Sequence, residues 1–104
     1  MQKTVLNDVF LLLQQMGAVD SEVEFSRDWL CRSECYMRTL RFKRAQPSVG
    51  TLAICASKLQ HYGRCMTATD KHKKMGAQFI ELSELCHQQI NSNAESTWMD
   101  EINI

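Results

Sequence analysis

The sequence predicts an all-α fold, a five-helix domain, on three observations. Helix formers are plentiful, while glycine and proline are scarce, at four and one in 104 residues. Apolar residues recur at spacings of three and four, the period of one helix face. Residues that cap or break helices stand between those stretches. A chain of this length is expected to form one domain around a single small core.

The first helix is expected over residues 4–16. Val5, Val9, Leu12, Leu13 and Met16 share a face, Leu6 and Phe10 widen it, and Gly17 can close the helix. Ser21-Glu22-Val23-Glu24 reads as a capping box. The Ser21 hydroxyl would accept from the Glu24 N–H, and the Glu24 carboxylate would reach back to the Ser21 N–H. It opens a second helix over 22–30, with Phe25 and Trp29 on one face. Ser33 can cap a third helix over 34–42, with Met37 and Leu40 on one face and Arg38, Thr39 and Arg41 mainly on the others.

Pro47 biases Gln46 away from helical angles, and Ser48 can cap a fourth helix. Val49, Leu52, Ala53, Cys55, Ala56 and Leu59 give its apolar face, and Gly63 is expected to end it. After a polar connection over 64–70, Met75, Phe79, Leu82, Cys86 and Ile90 repeat at helical spacing. They predict a fifth amphipathic helix over 71–91, broken by Asn91-Ser92-Asn93. The domain is therefore expected over 1–91, followed by a flexible C-terminal tail over 92–104. In that tail Trp98, Met99, Ile102 and Ile104 are the side chains suited to docking.

Composition excludes several function classes. The longest apolar run, residues 9–13, is too short to span a bilayer. The opening Met-Gln-Lys-Thr lacks the apolar core and small-residue cleavage site of a secretory signal. A cytoplasmic protein without membrane association is expected. The five cysteines, Cys31, Cys35, Cys55, Cys65 and Cys86, are irregularly spaced, which suits reduced thiols better than a disulfide framework. Cys55 and Cys86 lie on apolar faces and should be buried; Cys31 and Cys35 should be accessible. The Cys31–Cys35 spacing occurs among zinc ligands, but no second close pair completes a site. His61, His72 and His87 have no evident orienting partner or oxyanion pocket to make a nucleophilic dyad with a cysteine. No enzyme, metal or cofactor is expected.

The formal net charge of zero conceals an uneven distribution. Residues 25–74 carry a net charge of +8, and the two flanking segments together carry −8. A basic centre fits a polyanionic partner. Arg32, Arg38, Arg41, Lys43 and Arg44 cluster around the third helix. Such a cluster can neutralise phosphates and release counterions. Glu34, Cys35, Arg38 and Thr39 occupy the exposed face of its first two turns. Arginine can pair with guanine, threonine can meet a thymine methyl, and a carboxylate can accept from cytosine.

Residues 24–59 read EFSRDWLCRSECYMRTLRFKRAQPSVGTLAICASKL. Phe25-Ser26 is an apolar residue followed by a small one, and Leu30 is an apolar anchor at a turn. Ser33, Tyr36, Met37 and Leu40 make a Ser-x-x-Tyr-apolar-x-x-apolar pattern. Pro47-Ser48, Thr51-Leu52 and Ala56-x-x-Leu59 follow. In these residues the chain resembles the lambda-repressor-like (Cro-type) helix-turn-helix family. The resemblance implies a helix-turn-helix core at 22–43 whose second helix enters the major groove of duplex DNA. It implies a bacterial or phage transcriptional regulator, acting as a homodimer. Base contacts would come from Glu34, Cys35, Arg38 and Thr39, and phosphate contacts from Arg32, Arg41, Lys43 and Arg44. The fifth helix is expected at or near the dimer interface, because Met75, Phe79, Leu82 and Cys86, widened by Ile80 and Leu85, exceed what one small core is expected to cover.

Four positions depart from the family pattern. Cys31 stands at the turn position usually held by glycine, and Arg32 stands where an apolar residue follows. Lys43 replaces the glycine of the next loop. Glu22 stands where a phosphate-contacting glutamine is common, and its charge would repel phosphate. Glu22 favours an alternative: a protein-interaction module, such as an adaptor or phage-type inhibitor, on the same fold without DNA binding.

Overall fold

The computed structural model describes residues 4–102. Its five helices are α1 (Val5–Gln15), α2 (Glu22–Glu24, continued by a π-helical turn Phe25–Trp29), α3 (Tyr36–Lys43), α4 (Val49–Thr67) and α5 (Lys73–Ile102). A 3-10 turn, Asp70–His72, joins the last two. Among the described residues there is no strand, and no helix is long and apolar enough to cross a membrane. The expectations that fall on Ile104 and on residues 1–3 lie outside the described residues.

Local chemistry fixes most of the helix ends. The Thr4 N–H donates to Asn7 Oδ1 at 2.9 Å and opens α1. Gly17, with φ 79°, closes it, and the Ala18 N–H donates to the Leu13 carbonyl at 2.9 Å. This is the left-handed stop that glycine provides without steric cost. The Ser21 hydroxyl accepts from the Glu24 N–H at 3.3 Å, as expected. The Glu24 carboxylate reaches back one residue further than a capping box requires, to the N–H of Asp20. Ser48 caps α4, accepting from the Thr51 N–H at 3.2 Å.

The core joins all five helices. Leu6, Val9 and Leu13 of α1, Phe25 and Leu30 around α2, Met37 of α3, Leu52, Cys55 and Leu59 of α4, and Cys86 of α5 are buried. The Phe10 and Phe25 rings meet at 5.5 Å, which ties α1 to α2. The Trp29 ring stands edge-on to Phe79 at 6.0 Å, which ties α2 to α5. Cys55 and Cys86 are buried and Cys31 and Cys35 exposed, as their positions in the sequence predict. A hydrogen bond with Cys86, reinforced by burial, pushes the Cys55 thiol up and keeps it protonated.

Four expectations are corrected. First, Gly63 does not end α4. It is buried inside the helix, and a β-carbon placed there would lie 3.0 Å from the Gly76 carbonyl oxygen and 2.7 Å from Ile80. The two glycines let the α4 and α5 backbones come together, so glycine here serves close approach rather than termination. Second, Asn91-Ser92-Asn93 does not break α5, which continues to Ile102. The Gln89 amide donates to Asn93 at 2.8 Å, and the Asn91 amide donates to Glu95 at 3.0 Å. Side-chain bonds four residues apart occupy these amides along the helix instead of letting them compete for its backbone. Trp98 and Met99 remain about half exposed on this extension.

Third, the second helix is α-helical only over its first turn and then widens into the π-helical turn. Phe25, Ser26 and Trp29 are all buried there. Fourth, α3 starts at Tyr36 rather than Glu34. Cys35, not Ser33, is its N-cap residue, and no side chain caps it. The stripe on α5 that suggested a dimer interface is covered within one chain only in part, since Leu85 is 43% exposed. Phe79, Leu82 and Cys86 are buried, and Met75 and Ile90 are partly buried against the same core.

Candidate functional site

α2 and α3 meet through a turn whose geometry begins at Leu30. Leu30 is fully buried and anchors the end of α2. Cys31 follows with φ 55°, in the left-handed region, although it carries a side chain. The Arg32 N–H donates back to the Ser26 carbonyl at 3.0 Å, and the Ser26 hydroxyl accepts from the Met37 N–H at 3.4 Å. Buried Ser26 therefore holds the turn by its backbone and α3 by its side chain. α3 ends in a second left-handed residue, Arg44, at φ 52°. The Ala45 N–H donates to the Leu40 carbonyl at 3.0 Å, closing a Schellman-type stop. The glycine absent at Lys43 is thus replaced functionally one residue later, by arginine.

The residues singled out from the sequence divide into three groups. Glu34, Cys35 and Arg38 line a shallow depression together with Glu22 and Val23 of α2. Thr39 is half-buried beside them. Arg41, one turn after Arg38, is paired with Glu22: its two terminal nitrogens lie 2.5 and 2.8 Å from the two carboxylate oxygens. The hydrogen bond from Arg41 to Glu22 raises the Arg41 pKa above its ordinary value. Arg32 faces the other side, where its Nε donates to Thr51 Oγ1 at 2.9 Å. Its guanidinium also stands 6.0 Å from the centroid of the Tyr36 ring. Tyr36 packs at the start of α4 with its hydroxyl 3.4 Å from Thr51 Oγ1. Lys43 and Arg44 are exposed at the end of α3.

Pairing balances only part of the charge on this surface. Arg27 bonds Asp28 at 3.1 Å and lies 3.7 Å from Glu34. Arg41 is held by Glu22. Among the described residues, Arg38, Lys43 and Arg44 form no ion pair within 4 Å, so they are the cations open to an external anion. An exposed pair such as Glu22–Arg41 contributes only about 0–1 kcal/mol net, and its geometry matters more than its energy. The Ser33 hydroxyl, the Thr39 hydroxyl and the Arg38 charge hold the Cys35 thiol below its ordinary range. No group of three or more His, Cys, Asp or Glu side chains converges on a metal-sized site among the described residues.

Three contributors escaped the reading of residues alone. Thr51 looks like a helix-start residue in the sequence, yet it gathers Arg32, Tyr36 and Ser48. Lys58 of α4 donates to the Asp28 carbonyl and sits 4.8 Å over the Trp29 ring, a cation at the end of α2. Val23, 44% exposed, is an apolar side chain in the depression.

These features define a class: an all-α protein in which a strained turn sets a short basic helix across another helix, backed by a long helical hairpin. Residues 6–99 match the model of a family of unknown function, DUF6626, and the chain belongs to that family. No curated protein and no solved structure matches it.

Proposed function

We propose that the chain is a duplex DNA-binding transcriptional regulator of the lambda-repressor-like helix-turn-helix type, working in the cytoplasm as a homodimer. One observation carries the reading: the left-handed backbone at Cys31. The family pattern has glycine at that position because the turn bends there. This chain adopts the same backbone even without glycine, at a steric cost of about 1–2 kcal/mol for a residue with a side chain. Leu30 and Met37 are buried on either side, and Arg38 is left outward with no carboxylate within pairing distance among the described residues. In this reading Arg38 and Thr39 meet base edges, with Glu34 and Cys35 flanking them. Lys43 and Arg44 meet phosphates, and Arg32 and Arg41 do so if they leave Thr51 and Glu22.

The test is selection from a random duplex pool, followed by binding isotherms at several salt concentrations. Arg38→Ala should weaken the preferred site by about 1–3 kcal/mol and relax preference at one base pair. Lys43→Ala should weaken all sequences alike and lower the salt slope by about 0.9. A wild-type chain with no salt-sensitive affinity would end this reading.

A second reading has its own support. Glu22 and Glu34 neutralise Arg41 and Arg27 on the very face that DNA would need. A protein-interaction module on this fold would carry such a mixed-charge surface, with Val23 at its centre. Binding that survives high salt, to a protein and not to DNA, would favour it.

A further inference from the structure

Glu22 and Arg41 lie nineteen residues apart in the chain, yet they make a two-pronged contact at 2.5 and 2.8 Å. The planar guanidinium fork fits a carboxylate and a phosphate in the same way, through two parallel N–H bonds. Glu22 therefore occupies on Arg41 the place that a backbone phosphate would take. The pair is open to competition, because the Arg41 side chain is 44% exposed and the Glu22 side chain 32%. Glu22 also lines the same depression as Arg38, so the contact belongs to the surface assigned above to DNA.

We infer that Glu22 is a built-in competitor for phosphate, holding Arg41 closed until a DNA backbone displaces it. The inference rests on the DNA-binding reading and names the regulation of that site. It explains why a carboxylate stands on a face otherwise suited to an anion. Arg38 is available at all times, whereas Arg41 adds its contact only when a phosphate is positioned well enough to replace two bonds. The device lowers affinity for poorly placed backbone more than for a well-fitted site.

Glu22→Gln keeps the shape and removes the charge. Its binding to a random-sequence duplex should be tighter than wild type at low salt. The salt slope should steepen by about 0.9, so that the advantage shrinks about 3.5-fold between 50 and 200 mM salt. The gain should vanish when Arg41→Ala is added, since the freed guanidinium is then missing. Circular dichroism melts of each variant separate loss of folding from loss of binding. If Glu22→Gln binds like wild type while Arg38→Ala weakens binding, the competitor idea fails and the DNA reading stands. An equal gain with and without Arg41 also overturns it, because simple relief of repulsion would then suffice. If neither wild type nor Glu22→Gln has salt-sensitive affinity for DNA, both ideas fall together.

Discussion

The α4–α5 hairpin and the α2–turn–α3 unit solve opposite problems in one small protein. In the hairpin, two long helices approach until Gly63 and Gly76 leave no room for a β-carbon between them. Cys55 and Cys86 meet across it, and Leu59 and Phe79 are buried in the same core. In the α2–turn–α3 unit the helices are short, one is partly π-helical, and two side-chain-bearing residues sit at positive φ. Only Met37 of α3 is buried outright. One region is stabilised by close packing; the other is held by a few anchors and by hydrogen bonds through Ser26 and Thr51. α2 is anchored by Phe25, Trp29 and Leu30, but α3, with one fully buried side chain between two residues at positive φ, is the kind of element that proteins assign to recognition.

The largest expected effect separates the two regions by truncation. Leu59→Ala should cost about 2–5 kcal/mol, because Leu59 is fully buried and leaves a cavity in the core. Leu40→Ala should cost less than about 2 kcal/mol, because Leu40 is only partly covered and water can fill its place. Urea denaturation of both variants measures the difference. Equal losses would mean that α3 is packed as tightly as the hairpin, and the contrast would collapse.

Next in size is the glycine crossing. A β-carbon on Gly76 would lie 2.7 Å from the Gly63 carbonyl oxygen and 2.8 Å from the Thr67 nitrogen, both backbone atoms that cannot swing away. Gly76→Ala should therefore lower stability by about 1–2 kcal/mol, even though alanine is the better helix former. Gly50, on the same helix as Gly63, has nothing nearer than 4.0 Å. Gly50→Ala should be neutral or stabilising by up to about 1 kcal/mol. Opposite signs in thermal melts would establish that close approach, not helix propensity, decides the hairpin.

The two regions also differed in how far the sequence disclosed them. Apolar spacing and the cap residues Ser21 and Ser48 are local signals, and they located all five helices. Burial of Cys55 and Cys86 followed from the same periodicity. Gly63 was misleading because a glycine within a helical pattern has two meanings, terminator or contact, and only its distant partner Gly76 distinguishes them. Asn91 and Asn93 were misleading for a related reason: their tendency to compete with the backbone is removed by Gln89 and Glu95 on the same helix face. In the candidate site, exposure of Arg38 was legible from the pattern around Met37. The engagement of Arg41 was not, because no periodicity connects it to Glu22. Cys31 lacks the freedom of a glycine, yet its backbone adopts φ 55° between buried Leu30 and Met37.

The smallest expected effect tests that last point. Cys31 is exposed, so replacing it removes no core packing. Its φ of 55° costs a residue with a β-carbon about 1–2 kcal/mol. Glycine removes this cost but gives the unfolded chain more freedom, which takes back about 0.5–1 kcal/mol. Cys31→Gly should therefore stabilise the protein by about 0.5–1 kcal/mol. Ala53→Gly, at an exposed site within α4, provides the counterpart and should destabilise by about 1 kcal/mol. The same replacement residue would then raise the urea midpoint in the α2–turn–α3 unit and lower it in the hairpin. If Cys31→Gly lowers the midpoint, the turn is not strained at Cys31. The backbone argument behind the DNA-binding reading would then lose its support, whatever the charges on α3 contribute.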